Sequence, residues 1–274
     1  MKTGNVPALA VTGATLPEAW EKSVIAAWEN GIEIHTEYDR PGDPPSRDCT
    51  MMIIVEDPFA EPRIHRAFPA GLEELEVYRL EVVDGVHDHW IDPAAGKWTY
   101  TYHKRLFDYE IEGKHVDQIA YSVDRLAASP ITRRAQGITW NPLLDAPTDD
   151  PPCLQRLWFR LTETTPGSRS YVLNMNTHWR SRDAYKAAFM NIFALTDLMR
   201  VIAGRVAEKI GAPVAVGRYV DISDSFHIYG SYFKEFEGFL NLVKNRSFEA
   251  RTWNSSYAEP FFQIGRDRVA DEQK

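Results

Sequence analysis

Cysteine is scarce: Cys49 and Cys153 are the only two in 274 residues. That is too few for a disulfide framework, and no CxxC pair suggests structural zinc or thioredoxin-like exchange. A reducing cytoplasm is therefore the simplest compartment. No run of about 18 apolar residues occurs, so no membrane-spanning helix is expected. The N-terminal stretch "MKTGNVPALAVTGATLPEAW" has one lysine and only a short apolar run broken by proline and glycine, too weak for a signal peptide. Basic charge is not in excess either: 31 Lys and Arg against 39 Asp and Glu give a formal net charge of -8. Nucleic acid and anionic membranes are thus disfavoured as main partners, although a local basic pocket can still hold a small phosphate ester.

Apolar residues make up 44% of the chain, with eight tryptophans, enough to fill one large core. The length suits a single α/β or α+β domain spanning residues 1–274. Thr15 opens "TLPEAWEKSVIAAWENG" as a helix, with Glu18 completing a capping box, Pro17 in the first turn and Asn30-Gly31 as the stop. The Pro- and Gly-rich stretch 37–49 reads as a loop carrying Arg40 and Arg47, followed by a strand over 50–57. Residues 70–85 read as a helix ended by Gly85, 97–111 as containing a strand, and 115–130 as a helix closed by Pro130. A strand is expected around "AQGITW", and 154–163 and 170–181 alternate across a Pro166-Gly167 turn as a hairpin. The longest helix is expected over 182–211, with Ala184, Ala188, Ile192, Leu195, Met199, Ile202 and Val206 as one stripe. A strand over "PVAVGRYVDIS" follows, and the closing "GRDRVADEQK" reads as a frayed polar tail.

The chemistry centres on Cys153, set behind Pro151 and Pro152 at the head of an alternating run. A cysteine there serves either as a small core residue or as a nucleophile. Arginines at 133, 134 and 180 are available to lower a thiol pKa and to bind an anion. Asn191 is polar in an otherwise apolar helix, and its amide offers a donor and an acceptor at once, which suits a pyrimidine base edge. His227 and Tyr229 stand two apart and can bond a sugar hydroxyl. "HDHW" at 87–90 lacks a distant ligand to complete a metal site, so no metal is expected.

Taken together, "TRR…TWN" from 132 to 141, "PPC" at 151–153, "RSRD" at 180–183 with Asn191 eight residues after its aspartate, and "FHIY" at 226–229 resemble the signature blocks of thymidylate synthases and the related pyrimidine nucleotide hydroxymethylases. Order and spacing agree over roughly 115–232. The resemblance implies an α+β thymidylate-synthase-like domain: a mixed sheet packed with helices around a long buried central helix. It implies that Cys153 adds to C6 of a pyrimidine nucleoside 5′-monophosphate and that methylenetetrahydrofolate donates the one-carbon unit to C5. Arg180 and Ser181, with Arg40, would then bind the phosphate. Arg133 and Arg134 would reach it from the other subunit of a homodimer. Asn191 and Asp183 would read the base, His227 and Tyr229 the sugar, and Glu76 or Glu81 would be the catalytic glutamate.

Departures from the family pattern are equally specific. Leu154 replaces the histidine that usually follows the cysteine, Trp179 replaces a glutamine, and "YTYHKR" at 100–105 lacks the family's tryptophan. The closing C-terminal peptide has no counterpart in "RVADEQK". Those losses favour capture of water over hydride. The expected activity is therefore C5 hydroxymethylation of CMP or dCMP, with methylation of dUMP and nucleotide binding without catalysis as the alternatives.

Overall fold

A computed structural model of the protein describes residues 4–274. In chain order the elements are β1 (Ala8–Gly13), α1 (Leu16–Asn30), β2 (Ile32–Ile34), β3 (Ser46–Val55), β4 (Ile64–His65), α2 (Leu72–Asp84), α3 (Tyr102–Phe107), β5 (Tyr109–Ile111), β6 (Lys114–Val116), α4 (Gln118–Ala128), β7 (Gln136–Ile138), α5 (Pro142–Asp145), β8 (Leu154–Glu163), β9 (Tyr171–Asp183), α6 (Ala188–Ile210), β10 (Val214–Ile228), α7 (Phe233–Asn245), β11 (Thr252–Trp253) and α8 (Ser255–Glu272). The main sheet runs β1-β3-β10-β9-β8-β7, with β2 beside β3. It is mixed: β1/β3 and β9/β10 are parallel, whereas β3/β10, β8/β9 and β7/β8 are antiparallel.

Alternation sets which face of the sheet is buried. Leu157, Phe159 and Leu161 on β8 and Leu173, Met175, Thr177 and Trp179 on β9 point inward. They meet α6, whose stripe from Ala188 through Val206 is buried as expected. On the other face Met52, Ile54, Trp158, Asn174, Asn176 and His178 remain half-buried or exposed. Thr15 caps α1 as predicted, accepting from Glu18 N, whereas Glu18 reaches one residue further back than a capping box does and accepts from Ala14 N at 2.7 Å.

One expectation holds only in part and two fail, each for a local reason. The stretch expected to hold a strand within 97–111 is helical over Tyr102–Phe107, because Thr101 caps it by accepting from Lys104 N at 3.0 Å; only Tyr109–Ile111 is strand. The long helix starts at Ala188, since β9 continues to Asp183, whose carboxylate takes the Tyr185 and Lys186 N–H groups and turns the chain. The polar tail is not frayed: it belongs to α8, whose Ala258, Phe262, Gly265 and Val269 form a buried stripe against α2. A side chain at Gly265 would come 2.8 Å from Glu73 O, so glycine permits the close approach.

The ends of the fold are tied through Glu21 on α1. It takes hydrogen bonds from His65 Nε2 at 2.9 Å and Arg251 Nη2 at 2.6 Å. Burial would raise its pKa, but these donors outweigh it and hold it at about 2, against an ordinary 4.5. Burial also holds His65 below its ordinary 6.5. A depressed carboxylate stabilises the fold above its unfolded pKa and loses that contribution as pH falls toward its folded pKa. A histidine held neutral adds a cost on the same acid side. Thermal stability should therefore decline from pH 6.5 downward and most steeply between 4.5 and 2. Glu21→Gln should cost about 3 kcal/mol at pH 7 and flatten the acid limb, as read by calorimetric melting across pH.

Candidate active site

Cys153 lies immediately before β8, next to the C-terminal ends of the parallel pair β9 and β10. Its carbonyl accepts Arg180 N at 2.9 Å, and the Arg180 guanidinium donates back to the carbonyls of Pro151 and Pro152, the latter at 3.1 Å. No carboxylate lies within ion-pair distance of Arg180 among the described residues. The half-buried thiol is pushed up by burial; Arg180 and Arg182 pull it down, and Asp150 adds to the rise.

Cys153 sits in the wall between two cavities. The outer one, about 640 Å³, is lined by Thr36, Glu37, Tyr38, Asp149, Asp150, Arg180, Ser181, Ser225, His227 and Tyr229 as well as Cys153. An inner one, about 220 Å³, is lined by Cys153 with Tyr78, Tyr102, Trp179, Ser181, Arg182, Asp183, Asn191, His227 and Tyr229. A third, about 600 Å³, shares Asp149 and Asp150 with the outer cavity and Tyr102 with the inner one; Glu81, Trp98 and Tyr100 add to its walls. The fold thus gathers Cys153, Arg180, Ser181, Asp183, Asn191, His227 and Tyr229 from three separate stretches of sequence.

Burial pushes the His227 pKa below its ordinary value, against the pull of Asp183 and Asp48, so the ring is neutral near pH 7. Ser225 Oγ lies 3.2 Å from its Nδ1 and donates to Asp48 at 2.9 Å. Tyr229 packs edge-on against His227 at 4.5 Å and, pushed up to about 12 by burial, stays a hydroxyl donor. Asn191 Nδ2 donates to the Tyr78 hydroxyl across the inner cavity.

Not every expected residue joins the cluster. Glu76 is turned the other way: it is 2% exposed and bound by Arg79 at 2.8 Å and Arg266 at 3.1 Å, facing α8. Glu81 is the glutamate that reaches a cavity. Burial raises its pKa, and His87 Nδ1 holds it at 3.1 Å. Arg40 is exposed in its loop, which contributes Thr36, Glu37 and Tyr38 to the cleft instead. Arg133 and Arg134 are exposed between α4 and β7 and line none of the three cavities of their own chain. Leu154 and Trp179, where the resemblance leads one to expect histidine and glutamine, are core residues at 0% and 1% exposure.

Sequence reasoning missed Tyr78, Tyr102 and Arg182. Tyr78 stands three residues before Glu81 on α2, a spacing that puts both on one helix face. Arg182 was visible in "RSRD", but strand alternation would place it beside Arg180 rather than inside.

Comparison with known proteins accords with this arrangement. The thymidylate synthase family model matches residues 72–256, and the chain belongs to that family. A protein of Methanosarcina barkeri named "Putative thymidylate synthase" is 30% identical over 213 residues, covering 76% of this chain and 87% of its own. One of the same name from Methanococcoides burtonii is 28% identical over 234 residues, 85% of this chain and 95% of its own. The thermostable thymidylate synthase A of Bacillus subtilis shares the fold, with a TM-score of 0.60 at 18% identity over 83% of this chain and 84% of its own. The mixed sheet packed by helices is therefore the thymidylate-synthase fold.

The two thiols should differ sharply in reactivity. Cys49 is fully buried and pushed up to about 12 by burial and Asp48. Iodoacetamide at pH 8 should label Cys153 and leave Cys49 unmodified in the folded protein, as read by peptide mass spectrometry. Asp150→Asn should speed labelling of Cys153 several-fold and Arg180→Ala should slow it.

Proposed function

We propose that the protein transfers a one-carbon unit to C5 of a pyrimidine nucleoside 5′-monophosphate through a Cys153–C6 adduct, and that water completes a hydroxymethyl product. One observation carries the reading: the thiol stands between a ring-sized inner cavity and an outer cavity where Arg180 has no carboxylate partner. An arginine so placed suits a phosphate oxygen, with Ser181 beside it. His227 and Tyr229 suit the sugar hydroxyls, and Asn191 the base edge.

The third cavity fits a folate: Trp98, Tyr100 and Tyr102 offer flat walls for a pterin and aminobenzoyl ring, and Tyr102 links it to the thiol's surroundings. Methylenetetrahydrofolate, when bound, supplies a one-carbon unit at the oxidation level of formaldehyde. Cys153 Sγ bonds to C6, its proton passes to solvent, and the C5=C6 electron pair makes C5 the nucleophile. After C5 has bonded the carbon unit, loss of the C5 hydrogen and release of the carbon from the carrier nitrogen leave a methylene on the ring; water adds to it, giving up a proton to solvent, and Cys153 departs to restore the ring. Glu81, whose pKa burial raises, is placed to serve that proton traffic from the folate side.

Two features favour water as the finishing nucleophile. Apolar Leu154 and Trp179 stand where the family has polar groups, and none of residues 255–274 lines the three cavities. A hydride finish, giving a methylated dUMP, is the second reading, favoured by the names of the relatives. The sequence departures rank CMP and dCMP first; Asn191 and the donors of the inner cavity favour a 4-oxo base.

Glu37, Asp149 and Asp150 line the same outer cavity as Arg180, so one chain alone opposes three carboxylates to one guanidinium around the dianion. A homodimer that brings in Arg133 and Arg134 of the partner subunit evens that balance, and the half-exposed sheet face with Met52, Ile54 and Trp158 offers the apolar contact for it.

Tritium release from 5-tritiated CMP, dCMP and dUMP with methylenetetrahydrofolate, followed by mass spectrometry, tests the proposal: release with a hydroxymethyl gain is expected, and no release from any of them sinks it. Cys153→Ala should bind nucleotide and release nothing. Arg180→Ala should weaken nucleotide binding by about 2–4 kcal/mol in calorimetry. Neither Cys153→Ala nor the double variant Arg133→Ala/Arg134→Ala should be active alone. Mixing them should restore about a quarter of the activity if sites are shared across a twofold dimer, and no recovery would show that each chain works alone.

A further inference from the structure

We infer that Arg182 is a catalytic and specificity-determining residue whose unpaired guanidinium N–H binds the 4-oxygen of the pyrimidine ring and takes up the charge created when Cys153 adds to C6. The inference rests on the nucleotide reading above. Arg182 follows Arg180 by two positions on β9 but points into the protein, where it is 2% exposed. Its Nη2 bonds Asp221 at 2.8 Å, and its plane lies over the Trp179 ring at 3.7 Å. Nε and Nη1 are buried without any partner. Arginine keeps its charge at any physiological pH, so two unmet donors on a buried guanidinium carry a real desolvation cost.

Charge balance with Asp221 does not account for those unmet donors. The carboxylate already accepts from Thr177 Oγ1 at 3.1 Å, Tyr219 Oη at 2.8 Å and Ser223 Oγ at 3.1 Å. Arg182 also lines the inner cavity with Cys153, Asn191, Tyr78 and Tyr102. A buried, charged side chain with unmet donors in the wall of a small cavity that contains the nucleophile calls for an acceptor from a ligand.

The chemistry supplies one. When Sγ bonds to C6, the C5=C6 pair shifts toward C4 and the C4=O pair moves onto O4, giving an enolate; the thiol proton goes to solvent. A guanidinium N–H donated to O4 stabilises that charge as an oxyanion-hole donor does, and the guanidinium gives up no proton. A 4-amino base would set its own N–H groups against the same donors. Relieving its charge would need a proton at N3, which arginine does not supply. Arg182 thus favours a uracil over a cytosine nucleotide.

The test uses the full-length protein, with calorimetric titration of dUMP, UMP, dCMP and CMP and tritium release from their 5-tritiated forms with methylenetetrahydrofolate. The wild type should bind uracil nucleotides about tenfold or more tighter than their cytosine counterparts. Arg182→Gln should lower kcat for tritium release from the preferred uracil nucleotide by about 10²–10³ and bring the uracil-to-cytosine ratio close to one. Arg182→Lys, which keeps a charge opposite Asp221, should recover folding by circular dichroism and only part of kcat. It decides the matter if the glutamine variant does not fold. Cytosine preference in the wild type, or an unchanged base ratio in a folded variant, overturns the inference and leaves the nucleotide reading standing. Failure of the wild type to bind any of the four nucleotides overturns both.

Discussion

The backbone hydrogen bond from Arg180 N to Cys153 O is the constraint on which the site depends. It joins the residue before β8 to the end of β9, where the register between those strands shifts between Leu154 and Arg156. The extra residue that this shift puts on β8 changes the facing of the β8 side chains, and on β9 the alternation breaks just beyond, between Trp179 and Arg182. Trp179 stays in the core, Arg180 and Ser181 both reach the cleft, and Arg182 returns to the interior. Prolines at 151 and 152 fit the place: they restrict the chain, and their carbonyls hold the Arg180 guanidinium beside the thiol.

Electrostatics then couple anchoring to reactivity. Burial holds Cys153 as a thiol, and two guanidinium groups work against it. Arg180 faces the outer cavity, so an anion bound there cancels much of its field at the sulfur. Arg182 is shielded on the inner side and already balanced by Asp221, so its influence is smaller but less altered by such an anion. Within one chain the cleft is acidic at its rim, through Glu37, Asp149 and Asp150. A lone subunit's acidic rim works against the dianion of the proposed substrate, and the proposed sharing of Arg133 and Arg134 across a dimer would offset it.

Much of this was legible in the sequence because motif residues anchor at ends of regular elements. Cys153, Arg180, Ser181, Asn191, His227 and Tyr229 fall around one pair of cavities, and α1 and the hairpin β8–β9 follow from capping and alternation. What was not legible turns on phase. Glu76 and Glu81 look alike on paper, five residues apart on a helix with little amphipathic contrast. Arg182 shares parity with Arg180 on a strand, and nothing in "RSRD" announces the irregularity that separates them. The α8 stripe is diluted by Arg266, Asp267 and Arg268, so a buried helix reads as a polar tail.

The phase of α2 is fixed from behind rather than from the site. Gly265 lets α8 approach Glu73 closely, Arg266 binds Glu76, and Arg268 binds Glu74 at 3.3 Å. With Glu76 committed to Arg266, the side of α2 away from it presents Tyr78 to the inner cavity and Glu81 to the third. At the other end of α2, Gly85 takes a left-handed conformation at φ 69°, so the chain turns at once toward His87, which holds Glu81. Glu272, at the end of α8, comes 3.6 Å from the far side of that same histidine. The C-terminal helix is therefore the backing against which α2 is set. Its charged residues on the α2 side are part of the machinery that aims Tyr78 and Glu81, even though none of them touches a cavity.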